Sequence, residues 1–146
     1  MAGEVAACCL LNCSSHRVPE SVFKALHGRG LGQVKVVSVP FELDFSPAAP
    51  PASTQVSRYL DRVATHPLRP FEEDGPHFLT VPGISVGAVL VAVGVAARLN
   101  TYPELIVVSR DARRNLYEFR EFVRLTDFYK DERQHRALQN GVLRLE

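Results

Sequence analysis

The segment 78–100, FLTVPGISVGAVLVAVGVAARLN, constrains the fold more than any other stretch of the chain. Phe78 to Val81 is a short apolar run of strand-forming residues, Pro82-Gly83 breaks it, and no charge follows until Arg98. The pattern predicts a strand, a tight turn and a helix. Val86, Ala88, Val89, Leu90, Val91, Val93, Val95 and Ala96 leave that helix without a polar face, so it needs cover on both sides. One cover is the sheet. The other is a further layer or, favoured in so short a chain, a second subunit, with Gly87, Ala88, Ala92 and Gly94 small enough for close approach. A membrane span needs roughly 20 apolar residues, and the stretch between Pro82 and Arg98 falls short of that.

With 146 residues, the chain has the size of one domain on the usual scale of about 100 to 200 residues each. Its 46% hydrophobic content can fill a core, and its 23% charged content is that of an ordinary globular protein. A formal net charge of +1 argues against a surface built for duplex nucleic acid and leaves room for a small anionic ligand. Cys8, Cys9 and Cys13 are too close and too odd in number for a disulfide framework, and they match no zinc spacing, which suits a reducing cytoplasm. Glu4 precedes the first apolar run and no basic residue does, so the start of the chain reads as a strand and not as a secretory signal.

Residues 5–12, VAACCLLN, form a continuous apolar run suited to a strand buried on both faces. Pro19-Glu20-Ser21 opens a helix with Val22, Phe23 and Leu26 on one side, and Gly28, Gly30 and Gly32 close it. A second strand is expected over 34–39, then a proline-rich loop over 41–53, then a helix capped by Ser53 or Thr54 and carrying Val56, Tyr59, Leu60 and Val63. After the segment 78–100, strands are expected over 105–108 and 116–125. The alternation of strands and helices predicts an α/β fold, a Rossmann-like three-layer sandwich whose mostly parallel sheet of about five strands has helices on both faces. Residues 1–126 make up that domain, and 127–146 form a charged tail, either a short helix or a mobile end.

In an open parallel sheet, ligands bind beyond the carboxyl ends of the strands, where connections diverge. The loops Asn12-Cys13-Ser14-Ser15-His16-Arg17 and Pro82-Gly83-Ile84-Ser85 are expected there, side by side if the strand order is 2-1-3-4-5. Backbone donors at the helix starts favour an anion such as a phosphate. Gly83 permits close approach, and Ser14, Ser15 and Ser85 add hydroxyls, although each serine on its own is equally an ordinary turn or cap residue. His16 is able to donate to a phosphate oxygen or move a proton, and Arg17 offers a planar fork, while a histidine or arginine in a surface turn commonly does neither. Arg110 and Arg113 stand where they would close the far side of such a pocket, with Asp111 as a competing partner.

Other motifs fail. Three residues separate Cys13 from Arg17, whereas the phosphatase loop needs five and finds Pro19 where its arginine belongs. Gly28-Arg29-Gly30-Leu31-Gly32 precedes a strand and so is a connector, not a dinucleotide fingerprint. No metal-ligand spacing is present, so neither metal nor cofactor is expected.

At Leu11-Asn12-Cys13-Ser14-Ser15-His16, joined with Pro82-Gly83-Ile84-Ser85 and its apolar helix, the chain resembles the small single-domain ancillary proteins of type III CRISPR systems in the Csx class. These are related to CRISPR-associated Rossmann fold (CARF) domains. The resemblance spans roughly 10–125, and Cys13 departs from it, since an aromatic is more usual there. It implies a cytoplasmic homodimer that binds a cyclic oligoadenylate, foremost cyclic tetra-adenylate, across its two-fold axis and so down-regulates antiviral signalling. Some relatives are ring nucleases; others only bind the ring. A two-fold ring suits a two-fold dimer whose paired loops supply the same donors. Cleavage needs no metal if the ribose 2′-hydroxyl is held in line with its own phosphate. On that reading Ser14, Ser15 and His16 are the catalytic candidates, and Asn12, Cys13, Arg17, Pro82, Gly83, Ile84, Ser85 and Arg110 contact the ligand. No residue stands out as general base, so cleavage is expected to be slow or absent. Sequestration without cleavage remains open, as does a phosphate-binding or assembly protein outside CRISPR.

Overall fold

The structure, a computed structural model, describes residues 6–145, with side chains to residue 138. The expected strand start at Val5 and the chain end at Glu146 lie outside the described residues. The elements run β1 (Ala6–Asn12), α1 (Glu20–Gly28), β2 (Leu31–Ser38), α2 (Ala52–Ala64), a single 3-10 turn (Pro70–Glu72), β3 (His77–Thr80), α3 (Ser85–Leu99), β4 (Glu104–Asp111), β5 (Leu116–Arg124) and α4 (Leu125–Leu145). The sheet order is β2-β1-β3-β4-β5, parallel through β4 and closed by an antiparallel β4–β5 hairpin. The fold is therefore α/β and compatible with the Rossmann-like three-layer sandwich expected.

The alternation of side chains along β1 divides the core. Cys8 and Leu10 join Val22 and Leu26 of α1, Phe78 and Ile106 on one face. Cys9, Leu11 and Cys13 join Val56, Tyr59, Leu60 and Val63 of α2 with Val91 and Val95 of α3 on the other. Both faces of β1 are buried, as a run without polar alternation requires.

Several boundaries differ from expectation for identifiable reasons. Neither Ser53 nor Thr54 caps α2, which has Pro51 at its N-cap and starts at Ala52. Gln55 fastens that end instead, donating to the carbonyls of Pro50 and Asp44 (2.8 and 2.9 Å) while its Oε1 accepts from the Asp44 backbone N–H (2.8 Å). Gly32 lies within β2, so only Gly28 and Gly30 serve the turn, and Gly30 has φ +81°. Residues of the charged tail form a helix of 21 residues that continues directly from β5. In β5 a register shift opposite Val107 and Val108 skips Arg120, so Phe119 and Phe122 pack on the same side of the sheet.

α3 buries Gly87, Val91 and Val95 and leaves Val86, Val89 and Val93 at 50%, 61% and 60% exposure. Its glycines admit neighbours from the same chain, which corrects their expected part in a subunit contact. A side chain at Gly94 would meet Leu60 of α2, and one at Gly87 would meet Phe41 and Pro82. Among the described residues no helix is long and apolar enough to cross a membrane.

Arg29, just after α1, ties this helix to the start of β4. Its two terminal nitrogens donate to Glu104 at 2.6 and 2.9 Å, Arg124 reaches the same carboxylate at 3.4 Å, and the guanidinium lies over the Phe78 and Phe122 rings. The hydrogen bond from Arg29, opposed by burial and aided by Arg124, holds the Glu104 carboxyl below its ordinary range. The folded state thus resists protonation more than the unfolded chain does, so this contribution is full above the unfolded carboxyl pKa. It is lost as pH falls through the lower, folded value. Urea unfolding from about pH 7 down to about pH 3 should show Glu104→Gln less stable by about 1 to 3 kcal/mol near neutrality. That deficit should narrow toward acid; a constant deficit would contradict this account.

Candidate anion-binding cavity

The site arises because β3 is shorter than its neighbour. β3 has four residues and β4 has eight, and they pair only at Phe78 with Glu104 and Leu79 with Leu105. Past that point β4 has no partner strand on this side, and Ile106, Val107 and Val108 line a cavity of about 290 Å³. The β1–α1 loop from Ser14 to Pro19 forms a second wall, with Asn12, Thr80, Val81, Gly83 and Tyr117 completing it. This is the carboxyl end of β1 and β3, where ligands of open α/β sheets lie.

Asn12, 3% exposed, organises the loop. Its Oδ1 accepts from the Thr80 hydroxyl (2.7 Å), the Ser14 hydroxyl (2.8 Å) and the Ser14 backbone N–H (3.2 Å), and its Nδ2 donates to the His16 carbonyl (2.9 Å). The Ser14 hydroxyl in turn accepts from the His16 N–H at 3.3 Å. Asn12 and Thr80 are register partners at the ends of adjacent parallel strands, so the amide spans both and fixes the turn. Among the described residues, the backbone N–H groups of Ser15 and Arg17 have no acceptor within the protein. The lining includes the Arg17 cation and no carboxylate.

Of the residues expected in the site, Asn12, Ser14, Ser15, His16, Arg17 and Gly83 come together around the cavity. Others do not line it. Cys13 is 2% exposed and points the opposite way, into the core beside the Tyr59 hydroxyl. Burial pushes its thiol up to about 11, with the Tyr59 hydrogen bond offsetting part of the rise. This corrects its assignment as a ligand contact, because the period of two that aims Asn12 at one face sends Cys13 to the other. Pro82 is buried against the position of Gly87, and Ile84 and Ser85 are exposed at the start of α3, with Ile84 as the N-cap. Arg110 is turned to the side chain of Asn115 within the β4–β5 hairpin, and Asp111 accepts from the Arg113 backbone N–H at 2.9 Å. Neither Arg110 nor Arg113 lines the cavity.

Thr80 and Tyr117 are site residues that the sequence reading missed. A hydroxyl ending an otherwise apolar strand was a signal for Thr80. Tyr117 gave none, since only the folded hairpin brings its ring to 4.6 Å from that of His16. Among the described residues, no group of three or more His, Cys, Asp or Glu side chains is placed to hold a metal ion.

The chain is an α/β domain compatible with a Rossmann-like sandwich, with a cavity at the strand ends whose lining holds Arg17 and no carboxylate. No family model matches the chain. Comparison with curated proteins found no match, and comparison with solved structures found none.

Proposed function

We propose that the chain binds a cyclic oligoadenylate, foremost cyclic tetra-adenylate, as a homodimer and thereby down-regulates type III CRISPR antiviral signalling. The observation that carries the reading is the β1–α1 loop. Asn12 holds it open beside the bare end of β4, with the N–H groups of Ser15 and Arg17 and the Arg17 cation free to meet phosphate oxygens and no carboxylate in the lining. The exposed apolar stripe Val86, Val89 and Val93 supports a second copy as partner, since such a stripe on a monomer would face water.

Cleavage, on this proposal, is slow and uses the ring's own 2′-hydroxyl. Its oxygen bonds to the adjacent phosphorus and loses its proton, while the bond from phosphorus to the 5′-oxygen breaks and that oxygen gains a proton. His16 is the lining group suited to moving a proton, and the Ser14 and Ser15 segment to stabilising charge on the phosphate. Sequestration without cleavage is the second reading, favoured by the absence of any carboxylate in the lining to act as base.

Labelled cyclic tetra-adenylate incubated with the protein, without added metal, tests this on a native and a denaturing gel. Retention on the first and conversion to linear di-adenylate on the second are expected. Retention with the ring intact over hours would select sequestration. No retention at micromolar protein would refute the proposal.

A further inference from the structure

A second cavity, of about 620 Å³, opens beside the first and shares His16, Arg17, Val18, Pro19 and Tyr117 with it. The stacked pair of His16 and Tyr117 therefore stands on the border between the two. Their rings lie 4.6 Å apart and are tilted by 32°, and Tyr117 remains 38% exposed. Beyond the pair, Pro19, Phe23 and Leu116 give the second cavity apolar walls, and Arg17, Glu20 and Asn115 give it hydrogen-bonding edges. Its size falls within the range of small-ligand sites, about 300 to 1,000 Å³.

The hairpin carrying Tyr117 is fastened at both ends of its reach. Arg110, the register partner of Tyr117, bonds to Asn115 in the turn, where Asn115 takes a left-handed conformation at φ +53°. Phe119, two positions further along β5, donates its backbone N–H to the Ser21 hydroxyl in α1 at 2.8 Å. Tyr117 is thus held over the β1–α1 loop by its own hairpin turn and by α1.

We propose that the Tyr117 ring, with His16 against it, is a nucleobase subsite, so that a base stacks there while its phosphate lies on the Ser14–Arg17 side. Phosphate and base would be read by different walls of one continuous groove, and the groove would prefer a nucleotide to a bare sugar phosphate. The inference rests on the nucleotide-binding reading of the first cavity, but not on the ligand being cyclic. Stacking of a base on an aromatic side chain carries roughly tenfold to a hundredfold in affinity.

The test uses the full chain and three probes, AMP, ribose 5-phosphate and cyclic tetra-adenylate, in calorimetric titrations of the wild type, Tyr117→Phe and Tyr117→Ala. The His16 ring proton signals are followed in parallel by NMR. Support is a loss of AMP affinity of about tenfold or more in Tyr117→Ala, with ribose 5-phosphate unaffected, Tyr117→Phe near wild type, and His16 shifts that are larger with AMP than with the sugar phosphate. If AMP behaves so and cyclic tetra-adenylate does not bind, the base subsite stands and the cyclic ligand is wrong. If cyclic tetra-adenylate binds wild type and Tyr117→Ala alike, the subsite is overturned and the proposed function survives. Equal wild-type affinity for AMP and ribose 5-phosphate also overturns it, as does failure of every probe to bind. A fall in Tyr117→Ala that extends to ribose 5-phosphate would assign the effect to a displaced hairpin and overturn it too.

Discussion

Asn12→Ala should lose ligand binding and a substantial part of the fold's stability together. The side chain is buried and serves five hydrogen bonds, and its removal strands the Thr80 hydroxyl and the groups of the Ser14 turn. An unsatisfied buried polar group costs about 1 to 3 kcal/mol, so a net loss of about 2 to 3 kcal/mol in urea unfolding is expected. Asn12→Asp adds a test of charge. A carboxylate keeps the three acceptor contacts but loses the donors to the His16 carbonyl and the Ser38 hydroxyl and turns its second oxygen on that carbonyl, so stability should fall in this variant too. It also adds a negative charge beside the proposed phosphate position, so retention of labelled cyclic tetra-adenylate should still fall at least about tenfold, equivalent to about 1.4 kcal/mol. If Asn12→Asp binds as wild type does, the anion lies elsewhere.

Phe78→Ala should be the costliest substitution for stability. Phe78 is fully buried, meets the Phe122 ring at 5.3 Å, and carries the Arg29 guanidinium 5.4 Å above it. Removing a large buried aromatic costs about 3 to 5 kcal/mol, against a total of about 5 to 15 kcal/mol for a typical domain. Urea unfolding should show a midpoint shifted far down with an unchanged slope. Val93→Thr on the exposed face of α3 is the matched comparison and should change monomer stability by about 0.5 kcal/mol or less. A Phe78→Ala protein of near wild-type midpoint would mean that the α1 side of the core is looser than its burial implies.

The parts of this fold that sequence patterns reveal are those set by local physics. The unbroken apolar runs of β1 and of the segment that becomes β3 and α3 announce burial before any partner is known, and the run of elements fits one common parallel topology. The loop Asn12 to Arg17 was recognisable from its place after the first strand. What escaped depends on distant encounters. Tyr117 meets His16 only because β5 folds back along β4, and Gln55 fastens α2 only because Asp44 returns to it. Cys13 is a different case, because extending the alternation of Cys9 and Leu11 by one more step already assigns it to the core. Arg110 suits a phosphate on charge alone, yet a nearby amide at Asn115 holds it.

The four residues of β3 act as a ruler for the whole site. Where β3 ends, the ladder lacks its next rungs, and peptide groups of β4 that another two or three residues would have sealed are left facing the pocket. Drift at neighbouring side-chain positions would leave the opening in place. A change in strand length, such as an insertion ahead of Pro82 that let β3 continue, would close it without altering a single residue of the lining.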